Sequence, residues 1–415
     1  GDQNWTDSSG LFAAPFANAS FAIFQSAPGT VTVDNTNGAV QAAGMQFVTD
    51  GYLIQGAAIG LVGPQSIIRV GDGTLAGAGY VATIASNLTG SSQLVKTDAG
   101  TLVLSGTNSY SGGTAVNGGT VQISADGNLG NASGGLSLNG GRLHTTADIN
   151  SARAVTLNAG GGTFDTDSAT SLALNGIVTG AGTLTKKGGG TLVLTGANSY
   201  QGGTAINGGT VEVSADANLG NAAGALTFDN GTLHTTGTFT AARSATLNAG
   251  GGTFDTDNST VLTLTGAVGG AGALTKDGAG TLVLTADTTY AGGTTIAAGT
   301  LQLGNGGATG SITGDVLDDG TLAFDRNNTY TFAGLISGSG GLDQIGSGVT
   351  VLTADNSYAG ATNVRKGTLI VDGDQWAATG ATTVEDGGVL GGIGTIGGDV
   401  SVLDNGALNP GDIGT

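Results

Sequence analysis

Short segments in which apolar and polar residues alternate recur along the chain, most of them introduced by glycine. Between residues 190 and 276 they read GTLVL, GTVEV, GTLHT, GTFDT and GALTK, and they begin 19 to 22 residues apart. Alternation with a period of two predicts β-strands that bury one face. The glycines supply the positive φ angles that tight corners need. Because helical spacing of apolar residues is nearly absent, we predict an all-β chain.

The interval of ~20 residues corresponds to three short strands and three corners, with each strand stacked on its equivalent one coil away. One such coil cannot bury its apolar side alone, whereas stacked coils share a continuous core. Crossover connections between parallel strands are almost always right-handed. The predicted fold is therefore a right-handed parallel β-helix, a β-solenoid with three strands per coil.

A longer repeat is superimposed on these coils. The stretch 190–210, GTLVLTGANSYQGGTAINGGT, returns 90 residues away in both directions, at Gly100 and Gly280, and in weaker form at Gly348. Self-similarity at a fixed interval is typical of stacked-repeat proteins. We predict five segments: a cap with the first coils over 1–95, full repeats over 96–185 and 186–275, divergent repeats over 276–366, and C-terminal coils over 367–415.

The two ends of the chain carry their own signals. The first segment is dense in aromatic residues, which we expect to close the open end of the core. They are Trp5, Phe12, Phe16, Phe21, Phe24, Phe47 and Tyr52. No basic and apolar leader begins at Gly1, so we expect that any signal peptide has been removed or lies outside the sequence. At Thr415 a coil edge would be left open, which predicts that the natural protein continues.

Composition narrows the class of partner. Glycine supplies 82 residues, but 39% of the chain is hydrophobic, which is enough to fill a narrow core and argues against disorder. The balance of 30 acidic and 11 basic residues gives a net charge of −19, so nucleic acid and anionic membranes are poor partners. The absence of cysteine excludes disulfides and thiolate metal sites. No apolar run approaches the ~18 residues of a membrane helix.

The repeat resembles a known family. The pattern LTKxGxGTLVLTGxNxYxGGTxIxxGTL is similar to the passenger-associated repeat of bacterial autotransporters, the type V secretion class. It is matched over 184–211, 94–121 and 274–301, and loosely over 342–369, where Gln344 replaces the lysine of the other copies. The stretches 29–52 and 387–411 are similar to the opening and the late part of such passengers. The resemblance therefore covers most of the chain.

This resemblance implies a cleavable signal peptide before residue 1 and, beyond residue 415, an autochaperone region and an outer-membrane β-barrel. It also implies secretion to the extracellular side of the bacterial outer membrane. The lack of cysteine fits a passenger that crosses that membrane unfolded. The repeat is specific for the secretion class and the fold, and it says little about the ligand.

Paired aspartates are the clearest candidates for chemistry. Asp165 and Asp167 recur as Asp255 and Asp257, and side chains two apart on a strand share a face. Such pairs could bind Ca²⁺ or act as acid and base across a cleft. We favour solvated aspartates that were copied with the repeat, because an enzyme needs one site. We predict no catalytic, metal or cofactor site. The possible binding surface comprises Asp165, Asp167, Asp255, Asp257, Asn158 and Asn248.

The other candidates are weaker. His144 and His234 are the only histidines, and without a second ligand at metal spacing we interpret them as outward strand residues. Asp318 and Asp319 resemble the adjacent acids of pectin-cleaving β-helix enzymes, but the accompanying motifs of that class are missing. The repeated tyrosines, each followed two residues later by glycine, are expected to pack over a coil turn. They are Tyr110, Tyr200, Tyr290 and Tyr358.

The resemblance and the composition together predict a non-enzymatic, surface-displayed passenger that acts as an adhesin or self-associating protein. Its partner would be a second copy, a host glycan or a matrix protein, bound along the lateral faces by many weak contacts. Residues 96–275 are the expected self-association face. Two alternatives stay open: a β-helix polysaccharide hydrolase or lyase, and a passive stalk that carries a functional head.

Overall fold

The computed structural model describes residues 16–411 and the two short strands Trp5–Thr6 and Ala13–Ala14. The chain divides into two compact units, unit 1 over Gly1–Gly202 and unit 2 over Gly203–Thr415. Each unit is a parallel β-solenoid, which confirms the predicted all-β fold. The right hand of the coils stays a prediction. Of the predicted capping aromatics, Trp5 and Phe12 have side chains outside the described residues.

Unit 1 contains two long parallel sheets and the start of a third. The strands of its first sheet are Ser20–Phe24, Val40–Phe47, Ile59–Leu61, Gln65–Val70, Leu88–Gly90, Gln93–Thr97, Thr114–Val116, Leu136–Leu138, Val155–Leu157 and Val178–Thr179. Those of its second sheet are Thr30–Val33, Tyr52–Gly56, Val81–Ile84, Thr101–Leu104, Thr120–Ile123, Arg142–Thr145, Gly162–Thr166 and Leu184–Lys187. Those of its third are Ile149–Ser151, Ser171–Leu174 and Thr191–Leu194. Its 3₁₀ turns are Ala76–Gly79 and Asp126–Leu129.

Unit 2 contains five parallel sheets. Sheet I comprises Thr204–Ile206, Leu226–Phe228, Ala245–Leu247, Val268–Gly270 and Thr289–Tyr290. Sheet II comprises Thr210–Val213, Gly231–Thr235, Gly252–Thr256, Leu274–Asp277, Thr294–Ile296, Val316–Asp318 and Ile336–Ser337. Sheet III comprises Phe239–Ala241, Val261–Leu264, Thr281–Leu284, Thr300–Gly307, Thr321–Arg326, Gly341–Gln344, Thr362–Val364, Thr382–Val384 and Val400–Val402. Sheet IV comprises Thr329–Phe332, Val349–Leu352, Gly367–Val371, Gly388–Gly392 and Ala407–Pro410, and sheet V Asp374–Gln375 and Thr395–Ile396. One 3₁₀ turn spans Asp216–Leu219.

The core of each unit is a set of side-chain columns that run from coil to coil. In unit 1, Leu102, Val121, Leu143 and Phe164 occupy the same register on successive strands, and each is buried. The alternate residues of these strands face outward and are half-buried, except for Arg142, which is exposed. This period-two pattern is the one that the sequence predicts, because a strand turns successive side chains to opposite faces.

The N-terminal coils bury an aromatic cluster. The rings of Phe24 and Phe47 stack with their centres 4.7 Å apart, and Tyr52 packs against both. Its hydroxyl donates to the carbonyl oxygen of Gln25 at 2.6 Å. Phe21 points outward instead and is 43% exposed. The aromatic signal of this segment therefore corresponds to core packing for three of the predicted residues and to surface for one, while Phe16 is half-buried.

The 90-residue repeat is not a whole number of coils. In unit 2, Thr204–Ile206 begins a run of five strands, one per coil, that ends at Thr289–Tyr290 in the same sheet. The repeat equivalent of Thr204–Ile206 is Thr294–Ile296, which lies one face further on, in sheet II. The next equivalent, Thr362–Val364, lies in sheet III. Each repeat therefore advances by several coils and one additional face.

Candidate functional site

Side chains that recur in the copies of the repeat hold the coil corners together from inside. We call each of these buried side chains, with the carbonyl oxygens that it binds, a clamp. Lys276 occupies an inward position of Leu274–Asp277, in register with Phe254. Its ammonium donates to the carbonyl oxygens of Asp277, Gly278 and Ala298 at 2.6, 2.7 and 3.2 Å, and so ties two coil corners together. The side chain is buried, and desolvation lowers the pKa of its ammonium to about 8 in spite of the nearby aspartates. The dipoles of these three backbone carbonyls stabilise the positive charge of the Lys276 ammonium.

The equivalent lysines of unit 1 act in the same way. Lys96 and Lys186 are also buried and donate to corner carbonyl oxygens, and burial lowers the pKa of each to about 8. In the divergent copy, Gln344 substitutes for the lysine by donating to the Gly346 carbonyl at 2.9 Å and accepting from the Thr350 hydroxyl at 2.7 Å. Although Gln344 departs from the repeat pattern, it still binds the coil corner, with an uncharged amide in place of the ammonium.

The asparagine and tyrosine of the repeat are also internal. Asn108 accepts from the Leu88 amide at 2.7 Å and donates to the Asn128 carbonyl at 2.6 Å, so one amide side chain links coils. Tyr110 is buried, and its hydroxyl lies 2.8 Å from that of Thr114. The Tyr290–Thr294 and Tyr358–Thr362 pairs share this contact at 2.7 Å. The repeated tyrosines thus do not form an exposed aromatic ladder.

A second clamp, which we did not predict from the sequence, is built on arginine. Arg153 is 3% exposed and donates to Asp126 from Nε and Nη2. It also donates to the carbonyl oxygens of Asn131, Gly134 and Gly130 at 2.6, 2.9 and 2.7 Å. Arg243 makes the same set of bonds in unit 2, to Asp216, Gly220, Asn221 and Gly224. The signal available in the sequence was the 90-residue recurrence of this arginine after the ADxNLGN loop.

These clamps remove cations from the surface. Six of the 11 basic residues are buried: Lys96, Lys186, Lys276, Arg153, Arg243 and Arg326. Three of the remaining five pair with carboxylates, namely Arg69 with Asp98, Arg142 with Asp165, and Arg365 with Asp343. The exterior is therefore more acidic than the net charge of −19 alone suggests. It favours partners that offer positive charge or neutral hydrogen-bonding groups.

The predicted aspartate pair of unit 1 lies on a mixed-charge surface. Asp165 is half-buried and accepts from Arg142 at 3.0 Å, and Asp167 is exposed and bonds His144 at 2.8 Å. In register with His144 and Asp165, the outward position of the next coil is Lys187. The two carboxylates stand side by side and each has a cationic or histidine partner. They do not face each other across a cleft, as a glycosidase requires.

The equivalent surface of unit 2 is acidic. Glu212, His234, Asp255 and Asp277 occupy one outward register on successive strands of sheet II, and we call them the acidic column. His234 lies 3.3 Å from Glu212 and 2.9 Å from Asp257. Burial lowers the pKa of His234, but the hydrogen bond to Asp257 and the surrounding carboxylates outweigh burial, so that the net shift is upward.

A threonine column runs beside the acidic column. Its members are two residues away along each strand, all half-buried and in register: Thr210, Thr232, Thr253, Thr275 and Thr295. Neighbouring strands lie ~4.8 Å apart, so the hydroxyls and carboxylates form two parallel rows with that repeat. This is a flat polar surface with regular spacing.

Asn158 and Asn248 complete the predicted surface set. Both side chains are exposed, and both residues sit in turns where the backbone carbonyl accepts from the glycine three residues later, at 2.7 and 2.8 Å. The structure places them at corners and not within either column. Their predicted role in binding stays a prediction, like that of the four aspartates.

The adjacent acids Asp318 and Asp319 point to opposite sides. Asp318 is fully buried, and burial raises the pKa of its carboxyl to about 7. Asp319 is exposed and accepts from the Ser339 amide and hydroxyl at 2.9 and 2.8 Å. The two carboxylates therefore do not form an acid pair. Across the described part of the chain, no group of three or more His, Asp or Glu side chains is placed to hold a metal ion.

The described chain is thus a parallel β-solenoid in which recurring residues of the repeat bind the coil corners from inside. The family described as the passenger-associated-transport-repeat matches residues 94–123, 184–213, 274–303 and 342–371. These are the four copies that the sequence predicts. The chain therefore carries four copies of this repeat and is similar to autotransporter passengers, a class that is displayed at the bacterial cell surface.

One relative can be named. Over 375 residues, 90% of this chain, the sequence is 37% identical to the Adhesin BmaC autotransporter of Brucella suis biovar 1 (strain 1330). The chain spans 8% of the length of that relative. No solved structure matches. Among the described residues, no helix is long and apolar enough to cross a membrane.

Proposed function

We propose that this passenger segment acts as an adhesin or self-associating protein and binds its partner along the lateral faces of the solenoid. The observation that carries the proposal is the pair of outward columns on sheet II of unit 2. Their carboxylates and hydroxyls are accessible, regularly spaced and not needed for the core. The name of the relative, an adhesin, supports the same function.

The mechanism is multivalent contact. One exposed ion pair contributes about 0–1 kcal/mol, which is too little for attachment. A partner that follows the solenoid can meet the columns at several coils at once, and after the first contact each further one forms at a high effective concentration. Binding of this kind needs no deep pocket, and it tolerates sequence change at single positions.

Charge separates the possible partners. Two copies of the acidic column repel each other, so self-association through like faces requires high salt or a bridging cation. Contact between the acidic column of one copy and the surface of another copy around Arg142 and Lys187 is electrostatically favourable. A host glycan or a matrix protein with exposed basic or neutral polar groups fits the acidic column directly. The proposal covers pairing of like faces, pairing of unlike faces, and binding of a glycan or matrix protein. The experiments below distinguish these three arrangements.

The test is attachment of beads that carry the 415-residue chain to cultured epithelial cells and to matrix-coated surfaces. The double variant Asp255→Asn, Asp257→Asn is expected to reduce attachment, because it removes the carboxylates around His234. The matched control is Asp165→Asn, Asp167→Asn, the equivalent pair in unit 1. Equal loss in both variants would argue against a role for the acidic column. No attachment by the unaltered chain would refute adhesion.

Sedimentation of the same proteins across concentration and salt resolves the partner. Dimers that form at low salt and disappear at high salt support pairing of unlike faces between copies. A monomer under every condition excludes self-association and leaves a glycan or matrix partner.

A further inference from the structure

One face of unit 2 is interrupted. Sheet I ends at Thr289–Tyr290, and sheet IV begins two coils later at Thr329–Phe332. The intervening stretch bonds the coil below, where the Thr288 amide donates to the Ser311 carbonyl at 2.9 Å. Thr329–Phe332 is the end strand of its sheet and, within the described residues, pairs only with Val349–Leu352. Between the two coils lies a cavity of about 300 Å³, which we call the slot.

The slot is closed at both ends. On one side the Asn327 amide donates to the Gly307 carbonyl at 2.9 Å. On the other, Gly334 lies so near Gly314 that an added β-carbon would stand 2.1 Å from the Gly314 oxygen. An extended peptide that paired with the free strand edge would have to pass these two contacts. The shape therefore favours a compact molecule over a β-strand from another chain.

The walls are held in place before any ligand binds. Arg326 is 7% exposed at its side chain; it donates to the carbonyls of Gly310 and Ala308 and lies 4.6 Å from the ring centre of Tyr330. The Tyr330 hydroxyl in turn donates to the Ile312 carbonyl at 3.0 Å, across the slot. A cavity fixed by such contacts loses little entropy on binding.

The lining combines rings with hydrogen-bonding groups. The half-buried Tyr330 contributes aromatic surface, Phe332 lies almost fully buried behind it, and Ser311, Thr313 and Thr331 contribute hydroxyls. The carbonyls of Asn328 and Phe332 accept from the coil above, at 3.1 and 3.3 Å. Because backbone groups alternate in direction along a strand, the amide and carbonyl of Thr331 face the slot. Donors and acceptors beside an apolar floor match a ring that has one apolar face and several hydroxyls.

The charge around the slot excludes acidic ligands. Asp287 is 58% exposed at its side chain, accepts from Ser311 at 2.8 Å, and lies 3.6 Å from the buried Arg326, which offsets part of its charge. Asp315, also exposed, accepts from the Leu335 amide at 2.9 Å. The cation of this region, Arg326, is buried and already engaged. A uronate or sialate would find negative charge at the rim and no accessible counter-charge.

We propose that the slot is a binding site for one ring of a neutral saccharide. At about 300 Å³ it lies at the small end of ligand sites, so a single ring and not a long oligosaccharide fits. This inference rests on the proposed adhesive function, to which it adds a ligand class and a location apart from the columns of sheet II. Binding of a single ring would be weak, and attachment would come from many copies on one cell surface.

Saturation-transfer NMR on the 415-residue chain tests the site, with galactose and N-acetylglucosamine as neutral probes and galacturonic acid as the anionic probe. We expect transfer to at least one neutral sugar and none to the acid. The variant Thr331→Trp places an indole in the slot at an exposed position and is expected to abolish the transfer. Thr240→Trp, at another exposed threonine, in the edge strand Phe239–Ala241, is the control and should leave the transfer intact.

The outcomes separate the two proposals. No transfer to either neutral sugar, or transfer that survives Thr331→Trp, overturns the slot as a saccharide site. Transfer to galacturonic acid equal to that of the neutral sugars overturns the neutral class. Cell attachment without sugar transfer refutes the slot alone, whereas sugar transfer without cell attachment refutes adhesion and leaves the slot standing.

Discussion

Arg243 offers the sharpest test of how the solenoid is held together. It is 0% exposed at its side chain and donates to the Asp216 carboxylate and to four carbonyl oxygens of the loop 216–224. The variant Arg243→Ala leaves those acceptors without their donor in a poorly hydrated corner. Removing one partner of a buried ion pair costs about 3–5 kcal/mol, and we expect a loss of that size in unit 2.

The control is Arg365→Ala. Arg365 also meets carboxylates, Asp343 at 3.1 Å and Glu385 at 3.9 Å, but 49% of its side chain is exposed. Exposed ion pairs contribute about 0–1 kcal/mol, so this variant should be nearly neutral. Arg243→Lys should be intermediate, because an ammonium carries three donors and cannot reproduce the planar fork of the guanidinium.

Two measurements decide the outcome. Urea unfolding followed by far-UV circular dichroism gives the change in midpoint and slope for each variant. Hydrogen exchange locates it: in Arg243→Ala the amides of 216–224 should lose protection. The equivalent loop 126–134, which Arg153 holds, should be unchanged and serves as an internal standard. If Arg243→Ala costs no more than Arg365→Ala, the clamp does not stabilise the fold and the reasoning fails.

Three further predictions concern buried polar groups of unit 2. Lys276→Gln should be tolerated, as Gln344 fills the same role in the divergent copy, whereas Lys276→Ala should cost about 2–3 kcal/mol in urea unfolding because corner carbonyls lose their donor. The pKa of Asp318 is raised from 3.8 to about 7, so its stabilising effect is full below pH 4 and is lost as the pH rises through 7. Asp318→Asn should differ least from the parent below pH 4 and exceed it in urea midpoint at pH 8, and a difference that does not grow between these pH values would contradict the assignment. Tyr290→Phe should lower stability by about 1 kcal/mol in urea unfolding, because the contact between the Tyr290 and Thr294 hydroxyls is lost.

The repeat period and the alternation of apolar residues were sufficient to predict the solenoid and the position of its strands. Leu143, Phe164 and Leu233 alternate with polar neighbours, and all three are core residues. The hand of the coils has no comparable signal in the residues themselves. It rests on the general crossover rule, and the prediction of a right hand is kept on that ground.

The function of the basic residues could not be predicted from the sequence. As charged residues, Lys276 and Arg243 would be expected at the surface, but both side chains lie inward and donate to carbonyl oxygens of corners one coil away. Such contacts join residues about 20 apart in sequence. Their acceptors are backbone carbonyl oxygens, which every residue has, so the sequence does not mark them. The same is true of the slot, since its free strand edge at Thr329–Phe332 depends on which coils fail to pair.

The mismatch between the 90-residue repeat and the coil has a consequence for how such passengers evolve. Gene duplication copies a whole repeat, but in unit 2 the copy of Thr204–Ile206 emerges on the adjoining face. Recombination that adds or removes one repeat would therefore move every later residue of the solenoid to an adjoining face. The internal clamps would be preserved. Lengthening the chain would also reorient its lateral surfaces, and three successive duplications would restore the original direction.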